Sequence, residues 1–403
     1  MVGIRVLHVP ADHPLNSLSE PLKQRIVAAQ SNLLEMEFKD AADLCTRALS
    51  DLKIAIKTPP ELKGQPPVAL GDQPAKDLMA FFSDLLKKNG IPAQAISLHA
   101  ANLTHRVQLL RAFDRPDDVI NDICGKVVEV VQGFPKTAAD IQCGRNPGDV
   151  LDPYILGAAQ ILMCAGDFEH TISATVAHKV LMIIEGLLGH LHEDVIGAMR
   201  GNVRAPEPRG EDQETLNPAT NPFPGADIVQ PPLASRPLRF HQVKSKTGSA
   251  KGGDGRRLGL QLSELTKLYG GEAFYDALIG NTLRGHRSMA GVLRAAPSVV
   301  VLVGESAFRE LTGSGVGPQL LLRLYQSAFD VASKQTGYSL ESVVATIYLA
   351  FKERAEELGE GFLETVLHDA IYGTPQQQDS RHYVPRGRGK SVAADVEEGA
   401  EDE

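Results

Sequence analysis

Apolar residues recur at three- and four-residue spacing through the first part of the chain: Leu18, Leu22, Ile26, Ala29 and Leu33, then Leu44, Leu49, Leu52 and Ile56. That period places them on one face of a helix and predicts helical structure across 15–57. A Pro/Gly-rich connector over 58–74 interrupts it, and amphipathic pattern resumes over 77–89 and 98–113. Residues 1–145 therefore read as a mostly helical region. A second helical stretch runs from Pro153 to Met199, with Gly157, Gly166 and Gly186 marking breaks or close packing, and a polar loop over 201–220 follows. The pattern then changes. The apolar pair Ile228 and Val229 and the segment from Leu238 to Lys244 predict strands, and 258–278 predicts a helix. The run from Val299 to Val303 is apolar on both faces, as a buried central strand should be. Helices over 316–333 and 340–358 complete an α/β reading, and no internal repeat is visible.

Composition narrows the class without deciding it. The chain has 403 residues, 43% of them hydrophobic, enough for a large core in two or three units. No run of about 18 uncharged apolar residues occurs, so no membrane-spanning helix is expected. The first residues carry Arg5, His8, Asp12 and His13 where a signal peptide would be apolar, which points to the cytosol. Cys45, Cys124, Cys143 and Cys164 form no CxxC pair and read as free thiols rather than a zinc site. The net charge of −9 argues at first against a nucleic-acid partner, but its distribution reverses that. Between Arg236 and Arg294 stand eleven Lys/Arg and four Asp/Glu, a local +7 that leaves −16 for the remainder. A basic patch on an acidic body is the footprint of local binding to DNA.

The candidate chemistry lies inside that basic stretch. Asp227 follows Pro224 by three residues, fourteen residues separate it from Gln242, and Lys244 follows two positions later. Side chains alternate along a strand, so Gln242 and Lys244 share a face. If the Asp227 segment pairs with that strand as a hairpin, a carboxylate, an amide and an ammonium converge. Such a pocket suits a hard divalent cation beside a phosphate. The loop from Ser245 to Arg257 has four glycines together with Lys246, Lys251, Arg256 and Arg257, a composition that cradles phosphates. It lacks the Gly-Lys-Ser/Thr of a Walker A loop, so no nucleotide cofactor is expected. Asn281, Arg284, His286 and Arg287 offer further contacts to bases or phosphates. Other clusters are weaker. His190 and His192 do not share a helix face and read as surface histidines. His241 lies opposite Gln242 and reads as packed, and the loop from Thr312 to Gly317, with no basic residue, reads as a turn.

The Asp227, Gln242 and Lys244 signature with its basic loop resembles the PD-(D/E)XK nuclease superfamily, specifically its type II restriction endonucleases. The resemblance implies an αβββαβ core within 146–375 and a large helical N-terminal accessory region over 1–145 that is not part of it. Residues 376–403 then form a disordered tail, basic and afterwards acidic. The resemblance further implies Mg²⁺-dependent phosphodiester hydrolysis leaving a 5′-phosphate, double-stranded DNA as partner, and a homodimer on a palindromic site. Asp227 is the implied carboxylate ligand, and Lys244 would orient the attacking water or stabilise transition-state charge. Gln242 stands where the family carries Asp or Glu and is a weaker donor, so a further acid is needed. Glu185, set among Met182, Ile183, Ile184 and Leu187, is expected to be partly buried and to supply it. It is preferred to Glu193, whose neighbour Asp194 suggests a solvated surface. The alternatives are a repair or recombination nuclease and a DNA-binding or scaffold protein with a degenerate site.

Overall fold

The computed structural model describes residues 4–142, 152–207, 215–246, 254–280, 287–359 and 361–372. They group into two compact units, 1–122 with 189–326 and 123–188 with 327–403. The first unit thus combines N-terminal helices with the sheet, rather than following the linear division at 145. The tail over 376–403 lies outside the described residues.

The helices in chain order are α1 (Glu20–Ser31), α2 (Leu34–Glu37), α3 (Ala41–Asp51), α4 (Val68–Gly71), α5 (Ala75–Lys88), α6 (Ala93–Ala112) and α7 (Pro116–Gln142). Then come α8 (Pro153–Leu162), α9 (Phe168–Ala198), α10 (Asp254–Tyr269), α11 (Arg287–Ala295), α12 (Glu305–Thr312), α13 (Gly317–Thr336), α14 (Leu340–Leu358) and α15 (Phe362–Tyr372). In the first unit, Leu44, Ala48 and Leu49 of α3 pack with Phe82 and Leu86 of α5 and Leu103 and Val107 of α6. Asp40 starts α3 by accepting the Asp43 N–H, which satisfies one of the donors a helix leaves open at its start.

The sheet of the first unit has five strands in sequence order: β1 (Val203–Arg204), β2 (Ile228–Gln230), β3 (Arg239–Lys246), β4 (Glu272–Ile279) and β5 (Val300–Val303). β1, β2 and β3 form an antiparallel meander, whereas β4 and β5 add parallel to it. The parallel step from β3 to β4 requires a crossover, which α10 supplies. One face carries Val229, Phe240, Ala273, Tyr275 and Ala277, covered by Leu258, Leu262 and Leu265 of α10. Leu15, Leu22 and Ile26 join the same core. The first N-terminal helix is therefore part of the sheet core, contrary to the expected separate accessory region.

Two further expectations change. The single helix over 258–278 is a helix to Tyr269 followed by β4. Gly270 and Gly271 explain the break: both have positive φ, and a Cβ on Gly271 would lie 2.1 Å from the Leu238 carbonyl oxygen. The apolar run at Val299 forms the last strand of the sheet, partly exposed, and β4 is the strand buried on both faces. Helix α10 meets α11 through glycines, since a Cβ on Gly255 would approach the Ser288 carbonyl oxygen to 2.1 Å.

The second unit is helical, with a core of Leu156, Ile172, Val176, Ile347, Phe351 and Val366. Phe168 stacks on Phe362 there, with ring centroids 4.9 Å apart. Helix α9 is long and apolar enough to cross a membrane by length and composition, although Lys179 and Glu185 interrupt its apolar stretch. Ionised groups at such positions are costly in a bilayer. Cys45, Cys124 and Cys164 are free thiols, and burial pushes the Cys45 thiol up to about 12. Cys143 lies outside the described residues.

Candidate active site

The hairpin expected from the sequence is present and aligns its polar residues. Ile228 pairs with His241, so Asp227 stands opposite Gln242 at the end of the β2–β3 ladder. The Asp227 backbone is held on both sides: its N–H donates to the His241 carbonyl at 2.8 Å, and its carbonyl accepts from Ala205 N–H at 2.8 Å. Its Oδ2 accepts the Val243 N–H at 2.8 Å and an N–H of the Gln242 side chain. Gln242 is buried, and Lys244 lies half-buried two residues along on the same face.

The acid next to this group comes from α9. Glu193 is half-buried, and burial raises its pKa against the pull of Arg204, His190 and Lys244. Burial raises the Asp227 carboxyl to about 7, with repulsion from Glu193 as the second cause and Lys244 opposing both. Each carboxylate thus makes the other's charge harder to hold. Arg204 of β1 gathers the surrounding acids, donating to Glu193 at 3.3 Å and also bonding Asp194 and Glu207. A close crossing sets this up, because a Cβ on Gly197 of α9 would lie 2.6 Å from the Arg204 Cβ.

Glu185, the acid preferred from the sequence, is exposed rather than partly buried. Its apolar neighbours misled the expectation: Met182 is itself 53% exposed, so local hydrophobicity did not mark a buried face. Arg204 was missed because 201–220 read as loop and a two-residue strand leaves almost no periodic signal, and Asp194, read as the sign of a solvated surface, instead bonds Arg204. Oxygen and nitrogen donors of His190, Glu193 and Glu207 also lie within 4.8 Å of one another, and His190 shares a helix face with Glu193 at i, i+3. His192, expected at the surface, is half-buried with its Nδ1 2.9 Å from the Tyr325 hydroxyl. Burial lowers its pKa to about 4.

His241 is packed, as its strand position implied. Its Nδ1 lies 2.9 Å from Asp276 Oδ2 with both side chains fully buried, and its ring stacks on Phe274 at 4.7 Å. Of the basic residues, Arg256 and Arg257 are exposed on α10, Arg257 lying 3.6 Å from Asp254. Lys251, Asn281, Arg284 and His286 lie outside the described residues, as do the side chains of Lys246 and Arg287. The described anchors of the two basic segments nevertheless converge. Lys246 pairs with Ile279 at the ends of β3 and β4, and Gly255 touches Ser288 at the starts of α10 and α11. No known protein family matches this chain, and no curated protein is significantly similar to it.

Proposed function

We propose that the protein is a Mg²⁺-dependent, cytosolic endodeoxyribonuclease of the PD-(D/E)XK kind, cutting both strands of DNA at specific sites as a homodimer. The observation that carries this reading is the Asp227 carboxylate facing Gln242 across the hairpin, with Lys244 beside them and Glu193 adjoining. The order of α9, three antiparallel strands, α10 and a parallel β4 is the order such a core would have. The donor set fits a hard divalent cation: two mutually repelling carboxylates, each raised in pKa, plus an amide that presents its oxygen when turned over. Asp227, Glu193 and Gln242 would hold the ion. When bound, Mg²⁺ supplies charge neutralisation at the phosphate and activation of water.

The remaining chemistry belongs to the side chains. Lys244 holds a positive charge on the same face as Asp227, where it orients the water or offsets charge growing on the scissile phosphate. The Val243 N–H fixes one Asp227 oxygen, so the carboxylate cannot rotate away. Arg256 and Arg257 are exposed, and on this reading they contact the DNA backbone. A non-catalytic DNA-binding protein is the rival, favoured by one observation: the Gln242 amide donates to Asp227 as a neutral partner would. Phage DNA incubated with protein and Mg²⁺ separates the two. Discrete fragments that vanish in Asp227→Ala and form far more slowly in Lys244→Ala, with DNA binding kept, support the nuclease. Binding without any cleavage supports the rival.

A further inference from the structure

A cavity of about 250 Å³ opens in the first unit beside the start of β3. Arg239 stands three residues before Gln242 on that strand, so it serves the face of the sheet opposite to Gln242 and Lys244. Five arginines line the cavity, Arg111, Arg200, Arg236, Arg239 and Arg309, against two carboxylates, Glu35 and Glu310. No single segment supplies this charge. The arginines come from α6, the turn before β1, the β2–β3 loop, β3 and α12, so the cluster exists only in the folded chain.

Four of the five are already committed. Arg111 pairs with Asp72 at 2.6 Å, Arg200 with Glu37, Arg239 with Glu272 at 2.8 Å and Glu310 at 2.5 Å, and Arg309 with Glu305 at 2.8 Å. Arg236 is the exception. It is half-buried and pairs with no carboxylate among the described residues, and its Nη2 reaches only the Gly201 and Pro231 carbonyls, at 3.3 and 3.4 Å. Both distances are long for hydrogen bonds. Its Nε is sealed off, but its Nη1 makes no hydrogen bond and stays open to the cavity. Burial lowers the pKa of this guanidinium and repulsion from Arg239 lowers it further, against attraction from Glu310. A cation held out of water beside another cation is costly until it is paired. The fold nevertheless fixes it there: the Arg236 backbone exchanges hydrogen bonds with Leu233, its N–H donating at 3.2 Å and its carbonyl accepting at 2.8 Å. An anion in the cavity supplies the missing partner. Guanidinium donors match phosphate oxygens in geometry, and a dianion offsets more of the excess charge than a carboxylate does.

We infer that this cavity binds the phosphate group of a small ligand, with Arg236 Nη1 as the donor and the neighbouring arginines supplying the field. It is independent of the nuclease reading, whose residues it does not share. Inorganic phosphate, titrated calorimetrically into the full-length protein at constant chloride, tests it, with acetate as the contrast. Phosphate should bind, and acetate should bind more weakly. Arg236→Met keeps the apolar stem and removes the cation, and it should weaken phosphate about tenfold or more, the range of one charge-assisted hydrogen bond. Glu310→Gln removes the carboxylate that competes for Arg236 and Arg239. It should tighten phosphate about two- to fivefold, the size of one partly screened charge interaction, and a gain cannot come from misfolding. Arg115→Met makes the same change of net charge at an exposed site and should alter nothing. Circular dichroism confirms that the variants fold. Absence of phosphate binding, unchanged binding in Arg236→Met, no gain in Glu310→Gln, or acetate binding as tightly as phosphate overturns the inference.

Discussion

At the residue scale, Asp227 carries the most testable chemistry, because its carboxyl is raised to about 7 by burial and by Glu193. An aspartate in the unfolded chain ionises near about 4. Between those values the folded state binds more protons, so stability falls as pH rises from about 4 to about 7 and is flat above. Asp227→Asn mimics the protonated form and should escape that loss. Its unfolding free energy, from denaturation at each pH, should exceed that of the wild type by a gap that opens across this window, up to a ceiling of about 4 kcal/mol. Millimolar Mg²⁺ at pH 8 should raise the wild-type melting temperature and leave Asp227→Asn unmoved. Parallel pH profiles for the two proteins would dismiss the coupling. Glu193→Gln should raise the Mg²⁺ concentration needed for cleavage while Glu185→Gln does little, reversing the preference drawn from the sequence. A titration in which only Glu185→Gln shifts would restore it. Lys244→Ala should slow cleavage by about 10²–10³, as loss of one transition-state donor does; single-turnover rates decide.

At the element scale, the hairpin was legible because Asp227, Gln242 and Lys244 sit at spacings that alternation converts directly into one face. The strand β4 was not legible. Its sequence follows α10 with only Gly270 and Gly271 between, and Ala273 to Leu278 are buried on both faces, so no alternation distinguished strand from helix. Strand β1 was too short to read, and the burial of Glu193 depended on a helix–strand crossing at Gly197 that no local pattern records. Such crossings can be probed. In α10, Gly255→Ala forces a Cβ to 2.1 Å from the Ser288 carbonyl and should destabilise by about 1–3 kcal/mol, as overpacking does. Gly125→Ala in α7 meets nothing within 4 Å and should stabilise by about 0.5–1 kcal/mol. Chemical denaturation of both variants measures the contrast, and equal effects would mean that α10 and α11 do not pack through Gly255.

At the scale of the whole molecule, the proposed nuclease activity requires a chain of net charge −9 to hold a polyanion. Long-range attraction is unavailable to it, so DNA affinity must come from local phosphate contacts in the +7 stretch between Arg236 and Arg294. Among the described residues, β3 and β4 end together at Lys246 and Ile279, and α10 and α11 approach each other at Gly255 and Ser288, so the chain segments that carry these basic residues start and end at paired elements. Two consequences follow for binding. Affinity should fall steeply with salt, because each phosphate contact displaces condensed counterions from the duplex, and their release is less favourable as salt rises. Replacing Lys251, Arg256 and Arg257 together with alanine should weaken binding to every duplex alike, since phosphate contacts carry no sequence information. Each lost contact removes about 0.9 from the slope of log K against log salt, so the triple variant should flatten it by up to about 2.7. Fluorescence anisotropy with a labelled duplex between 50 and 300 mM salt, on the order of the range over which such slopes are linear, reads this directly. An unchanged slope would show that these three cations face solvent rather than phosphate, and the basic stretch would lose its claim to the DNA.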